Sequence, residues 1–371
     1  MKRVLSAIAI CSLAAALTVA QAAAPAGAPP ASNPAAGPGG PGGPGGPGGR
    51  GGRGGRGGFG GAQQWPLTLP ANSDPAWPVA DGAQPVRLGE GYKFTEGATC
   101  DKNGDIYFVD QNSNRIHKFT FDKTPANKDP MKGEMSIFME PTNYSNGMCF
   151  DNDGFLIACA DEKNELWKIN VADKSHTLLL GEVGGKPLNG PNDVWVVPAG
   201  PNKGGMYITD PLFQRNWWTN RPGGSGQQQP GRYVYFLKPD LKTLIPVITD
   251  YQQPNGIIGT PDGKTLYVAD FNGNVTNKYT IKDDGTLADK KFFCAAGSDG
   301  MTIDSAGNIY TTIGQPNVGV QIWDKDGKKL GSIPIGSANI CFGGKDRNIL
   351  FINSSTFVTG LLMKTHGVGP Q

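Results

Sequence analysis

Six times along this chain the same order of polar and apolar positions recurs. A small polar residue leads into an apolar pair, a Gly/Asp turn follows, and a second apolar run centres on Tyr, Phe or Ile. The units begin at Glu96, Asn146, Asn192, Asn255, Asp299 and Ala338, and their second runs centre on Tyr107, Ile157, Tyr207, Tyr267, Tyr310 and Phe351. The offset within a unit is 11, 11, 15, 12, 11 and 13 residues, and successive units start 50, 46, 63, 44 and 39 residues apart. Runs such as Ile106-Tyr107-Phe108-Val109 and Leu266-Tyr267-Val268 are short and rich in β-branched and aromatic residues, and Asn103-Gly104, Asp153-Gly154, Asp262-Gly263 and Asp326-Gly327 break them with turn chemistry. No long stretch shows the helical apolar period. The pattern predicts an all-β chain, and a strand-rich repeat of this period predicts a six-bladed β-propeller filling residues 62–371 as one domain.

The N-terminal segment has a different character. Lys2 and Arg3 precede an apolar run from Val4 to Val19, and Ala20-Gln21-Ala22 supplies small residues at the end, so residues 1–22 are expected to be a secretory signal peptide. Residues 23–61 are almost wholly Ala, Pro, Gly, Ser and Arg, a composition with nothing to bury, and are expected to be a disordered tether. The expected location is the periplasm or the extracellular space, with no membrane span left after cleavage.

Charge excludes one class of partner. Five of the 34 Lys and Arg residues lie in 1–61 beside no Asp or Glu, which leaves 29 basic against 32 acidic residues and a net charge of −3 for residues 62–371. Nucleic-acid binding leans on a basic face, and none is expected here. Oligomeric state is not legible. Cys149 and Cys341 hold the same place in two repeats and Cys100 lies one place further in a third, so the cysteines read as small core residues, separated by more than disulfide reach.

In a propeller the innermost strand of every blade lines a common channel, so one fixed position per repeat faces the axis. Glu96, Asn146, Asn192, Asn255 and Asp299 would then converge, two carboxylates among three carboxamides. Two readings of these residues stand side by side. Asn-Gly and Asp-Gly are turn formers in any protein. Glu is not, and five oxygen-bearing side chains at one phase favour a divalent cation, which relieves the repulsion between the carboxylates. An all-oxygen shell suits Ca2+ first, then Mg2+ or Mn2+, ahead of Zn2+; the three histidines, His117, His176 and His366, are not lead residues. Ala338 contributes no oxygen and would leave one side of the ring open. Asp101-Lys102-Asn103-Gly104-Asp105 lacks the phase of a calcium loop and reads as a hairpin turn.

Several segments together resemble the regucalcin–gluconolactonase family of six-bladed propellers, in its bacterial lactonase branch. They are Thr95-Glu96-Gly97, Leu188-Asn189-Gly190-Pro191-Asn192-Asp193 with Tyr207-Ile208-Thr209-Asp210-Pro211, Pro254-Asn255-Gly256-Ile257, and Asp299-Gly300-Met301-Thr302. The resemblance implies hydrolysis of a sugar lactone or similar cyclic ester by a metal-dependent enzyme. It implies Glu96, Asn255 and Asp299 as metal ligands, Asn192 at the metal or the substrate, and Asp299 as the proton-transfer carboxylate. Asp193 and Asn189 are then partners for sugar hydroxyls, with Asn146 on the substrate side. On the loop from Pro211 to Gly231, Trp217 and Trp218 either stack on a ring substrate or pack between blades. Other functions compatible with the same fold are a non-catalytic ligand-binding or scaffold propeller and an esterase or lyase built on the same site.

Overall fold

A computed structural model describes residues 65–218, 224 and 226–369. The expected signal peptide and tether lie outside the described residues, as does part of the loop after Pro211. Among the described residues no helix is long and apolar enough to cross a membrane, and the one named helix is a 3-10 turn at Gln111–Ser113.

The strands follow in chain order, and each repeat makes an antiparallel sheet. The first repeat supplies β1 (Val86–Cys100), β2 (Ile106–Asp110), β3 (Arg115–Phe121) and β4 (Gly133–Met139). The second gives β5 (Ser145–Phe150), β6 (Leu156–Ala160), β7 (Glu165–Ile169) and β8 (His176–Leu180), followed by a small hairpin of β9 (Glu182–Val183) and β10 (Lys186–Pro187). The third gives β11 (Val194–Val196), β12 (Met206–Asp210), β13 (Tyr233–Leu237) and β14 (Leu244–Ile248). The fourth gives β15 (Pro254–Gly259), β16 (Thr265–Asp270), β17 (Val275–Ile281) and β18 (Leu287–Cys294), and the fifth gives β19 (Met301–Ile303), β20 (Ile309–Thr312), β21 (Val320–Trp323) and β22 (Lys329–Ile333). The sixth has β23 (Asn339–Gly343) and the long β24 (Ile349–Leu362).

One register runs through all six repeats. The residue three places after the lead pairs with the centre of the second run: Thr99 with Tyr107, Cys149 with Ile157, Trp195 with Tyr207, Ile258 with Tyr267, Thr302 with Tyr310 and Cys341 with Phe351. Each second strand is buried, as expected of a strand covered by neighbouring sheets on both faces. The apolar core is accordingly divided into clusters between successive repeats. One joins Tyr107 and Val109 to Met148 and Leu156, the next joins Ile157 and Leu166 to Val194 and Ile208, and so on to a cluster that joins Phe351 and Cys341 to Phe108 and Ile106. The expected hairpin turn at Asp101 is present, with Asp101 Oδ1 accepting from the backbone N–H of Asn103 at 2.8 Å and Asp105 at 3.0 Å.

The architecture is an all-β propeller, but hydrogen bonding groups its strands into five large sheets where six blades are expected. Four have four strands, and the fifth has six in the order β23-β24-β1-β2-β3-β4. The reason lies in β1. Its first residues pair with the end of β24, Val86 opposite Gly360 and Glu90 opposite Phe357, while its last residues pair with β2. One continuous strand therefore belongs to the first repeat at one end and to the last at the other. β24 doubles back on itself, since Met363 N donates to Asn348 O at 2.8 Å and Ser355 takes a left-handed φ of 56°.

Candidate active site

Sheet irregularity begins where the lead residues sit. The ladders shift register between Glu96 and Thr99, between Ser145 and Met148, and between Pro254 and Ile257. A bulge of this kind turns a side chain out of its strand's regular alternation. In four repeats a glycine follows the lead residue, and the next innermost strand closes against it. A Cβ on Gly147 would run into Asp193, with its Cα only 2.7 Å away, and one on Gly300 would lie 2.5 Å from Asn339 Cγ. The third and sixth repeats put Asp193 and Asn339 at this following position instead. Both reach towards the axis, and Asn339 Nδ2 donates to Asp193 Oδ1 at 3.4 Å across 146 residues of chain.

Asn255 and Asp299 meet, and Glu96 lies within electrostatic reach of Asp299 and Asp193. Glu96, Asn146, Asn192 and Asn255 are buried, and Asp299 keeps partial exposure. Asn255 Nδ2 donates to Asp299 Oδ1 at 2.8 Å. Burial, then the charges of Asp299 and Asp193, push the Glu96 carboxyl well above its usual range, opposed by Arg215 and Asn339. Burial and Asp299 raise Asp193 in the same way. Asp299 is pushed up to about 6 by burial, against the Asn255 hydrogen bond and the Arg215 charge, which lower it. Three carboxyl groups thus share one water-poor space.

Five buried oxygens of this ring have no hydrogen-bond partner: Glu96 Oε2, Asn146 Oδ1, Asn192 Oδ1, Asp193 Oδ2 and Asn255 Oδ1. Buried polar atoms are almost always paired, so acceptors left open at the lead or following position of four repeats call for an explanation. An acceptor-only cluster is what a hard cation would satisfy. Among the described residues no three His, Cys, Asp or Glu side chains are grouped so that they could hold a metal ion by themselves. Below Asp193 and Asn339 the channel turns apolar, in a cavity of about 160 Å³ lined by Met148, Val194, Ile257, Met301 and Ile340.

Two of the expected substrate partners are committed elsewhere. Asn189 is fully buried, its Oδ1 accepts from Gln228 N at 2.8 Å and Gln229 N at 3.0 Å, and its Nδ2 donates to Gly231 O at 2.9 Å. It fastens the long loop. Trp218 is 2% exposed and its Nε1 donates to Asp161 O at 2.7 Å, so of the two readings of this residue the packing one holds. Trp217 stacks on Tyr144, two residues before Asn146, with ring centres 4.4 Å apart and planes 10° from parallel. Tyr144 and Asn143 both take left-handed φ values, 50° and 56°, steadied by Asn114 Oδ1, which accepts from Thr142 N and Tyr144 N. Strained backbone of this kind gathers at functional sites.

Sequence reasoning did not find Asn339, Arg215 or Asp161. Asn339 was detectable, because it follows Ala338 in phase; it fills from one place further on the side that Ala338 leaves open. Arg215 lies outside the repeated positions and carried no signal, whereas Asp161 closes the second run of its repeat as Asp110, Asp210 and Asp270 close theirs. Arg215 Nε bonds Asp161 Oδ2 at 2.9 Å, and Asp161 is buried. The five cysteines among the described residues are free, and all but the half-buried Cys149 are buried.

The family model described as the SMP-30/Gluconolactonase/LRE-like region matches residues 94–356. Lactonase drp35 from Staphylococcus aureus is 32% identical over 258 residues, which cover 65% of this chain and 69% of that protein. A solved structure of a putative gluconolactonase superposes with a TM-score of 0.69 at 27% identity, over 80% of this chain and 98% of the other. A calcium-binding regucalcin from Agrobacterium tumefaciens shares the fold, with a TM-score of 0.57 at 17% identity over 78% of this chain and 96% of the other.

Proposed function

The chain belongs to the SMP-30/Gluconolactonase/LRE-like family, and we propose on that premise that it is an exported, divalent-cation-dependent lactonase that opens a sugar lactone or similar cyclic ester. The observation that carries this reading is the set of buried oxygen acceptors without partners at the lead or following position of several repeats. Glu96, Asn255 and Asp299 would hold the cation, with Asn192 between cation and substrate, and calcium is the first candidate. The lactonase name of the S. aureus relative and the calcium-binding description of the regucalcin neighbour agree with it.

When bound, the cation supplies a Lewis acid that polarises the ester carbonyl and steadies the charge formed on its oxygen. The chain's own residues account for the proton. Asp299, with its pKa raised to about 6, is ionised at neutral pH yet basic enough to take a proton from the attacking water. Asn255 holds Asp299 by one oxygen and leaves the other for that task. As the ring-opened alkoxide leaves, the same carboxyl returns a proton to it. Asp193, linked to Asn339, faces the same space and can accept hydrogen bonds from sugar hydroxyls, and the Trp217 ring offers an apolar face at the mouth.

The same reading takes the ring as six-bladed. The six-stranded sheet would then be two blades that share β1, with its first half closing the last blade against the end of β24. The six apolar clusters, one between each pair of neighbouring repeats, support that count.

Hydrolysis of a panel of aldonolactones by protein stripped with chelator and then reloaded with Ca2+ tests the proposal. Activity should vanish on stripping and return with the ion. A panel in which no lactone is opened with metal present would overturn it.

A further inference from the structure

Among the described residues, Arg215 is the one basic side chain whose charge acts on both Glu96 and Asp299. It lies on the loop that follows β12, and its side chain is 19% exposed. Among the described residues its guanidinium makes a single hydrogen bond, through Nε to Asp161 Oδ2 at 2.9 Å. Nη1 and Nη2 make none, although each nitrogen carries two donors. Three neighbours fix the plane of the group. Asp161 holds the inner edge and is itself 2% exposed, and the rings of Phe213 and Trp217 lie 5.3 and 5.7 Å from Cζ. Gly190 lets Asp161 and Trp218 pack directly against the backbone beneath: a Cβ there would stand 3.0 Å from Asp161 Oδ1 and 2.8 Å from the Trp218 ring.

Such a group suits a planar anion. A guanidinium with Nε tied back presents its two terminal nitrogens as a fork, and a fork matches the two oxygens of a carboxylate. A neutral sugar lactone has no need of it, since the carboxamides and carboxylates already on the axis can serve its hydroxyls. An anionic substrate does need it, because Glu96, Asp193 and Asp299 would otherwise repel it from the mouth.

We propose that Arg215, positioned by Asp161, is the specificity-determining residue of this site and selects lactones that carry a second, free carboxylate, such as the monolactones of aldaric acids. The inference rests on the lactonase reading for its substrate class. Atoms balance as in any ester hydrolysis: water adds to the carbonyl, the ring C–O bond breaks, and the product is a dicarboxylate whose original carboxylate stays on Arg215.

The test compares kcat/KM for the monolactone of glucaric acid with that for gluconolactone, in calcium-loaded wild type, Arg215→Gln, Arg215→Lys and Asp161→Asn. Wild type should prefer the acidic lactone. Arg215→Gln should lower the ratio of the two by about 10- to 100-fold, the range of a lost charge-assisted bidentate pair. Arg215→Lys should keep part of the preference, and Asp161→Asn should lose an intermediate share. A ratio unchanged in a folded Arg215→Gln protein overturns the proposal, as does a loss that a fall in calcium affinity fully explains. If neither lactone is opened, the lactonase reading fails by itself, and calorimetry decides the rest. Glucarate should then bind calcium-loaded wild type at least tenfold tighter than glucitol, with Arg215→Gln removing the difference. Equal binding of the two by wild type overturns the inference.

Discussion

At the scale of single residues, the site is a balance between carboxyl groups that cannot all ionise and the neighbours that let them. Asn255 is the clearest neighbour, since its hydrogen bond to Asp299 Oδ1 lowers the pKa that burial raises. Replacing Asn255 by Ala should therefore move the titration of Asp299 in the metal-free protein upward from about 6, read by NMR, and should weaken calcium binding by about tenfold or more, read by titration calorimetry. The sign for stability follows from the same shifts. Folded, metal-free protein holds protons on Glu96, Asp193 and Asp299 to higher pH than the unfolded chain, where carboxyls titrate near ~4. Between that value and about 6 the native state binds more protons, so stability falls as pH rises through the window. Chelator-treated protein should melt lower at pH 7 than at pH 5. Calcium, by replacing those protons, should raise the melting temperature more at pH 7. Glu96→Gln removes one of the charges, so it should raise the melting temperature of the stripped protein and abolish most of the calcium-induced gain; a calcium-induced gain as large as that of wild type would contradict the role given to Glu96.

At the scale of elements, what matters is how closely the innermost strands approach. Gly147 lies against Asp193, and the backbone N–H of Gly147 donates to Asn192 O at 2.7 Å, so the lead of the third repeat is placed by the glycine of the second. Gly147→Ala should destabilise the fold by about 1–3 kcal/mol through forced separation of β5 from the 192–193 segment. Because that separation also moves Asn192 and Asp193, calcium affinity should fall in the same variant, whereas a surface substitution of equal cost would leave it alone. Denaturant melts paired with calorimetry separate the two outcomes. Most of this scale was legible. The turn residues, the second-strand aromatics and the three-place register between lead and second run all follow from the repeat, because a pleated strand leaves little choice once its turns are fixed. The division of β1 between two repeats was not legible, since continuity of hydrogen bonding depends on where β24 comes to lie.

At the scale of the whole molecule, the ring is held shut by its own ends. Val86 to Glu90 pair with Phe357 to Gly360, and Ala80 N donates to Leu362 O at 3.1 Å. Removal of residues 1–92 should expose the edge of β24 and one face of the cluster around Phe351 and Val358, and so abolish cooperative melting, as followed by calorimetry. The axial position of the site then has a simple origin. Each repeat spends one residue on the channel, and a channel lined by acceptors at one level and by Met, Val and Ile below becomes polar and apolar in tiers.

The sequence by itself determined the repeat, its strands and turns, and the oxygen-bearing lead residues, because period and residue type act locally and are written in order along the chain. Only the tertiary structure decided which other side chains join them. Asn339 bridges to Asp193 over 146 residues, and Arg215 meets Asp161 over 54. The first pair shares a phase of the repeat and the second does not, but in both cases it is tertiary packing, not order along the chain, that sets the partners side by side.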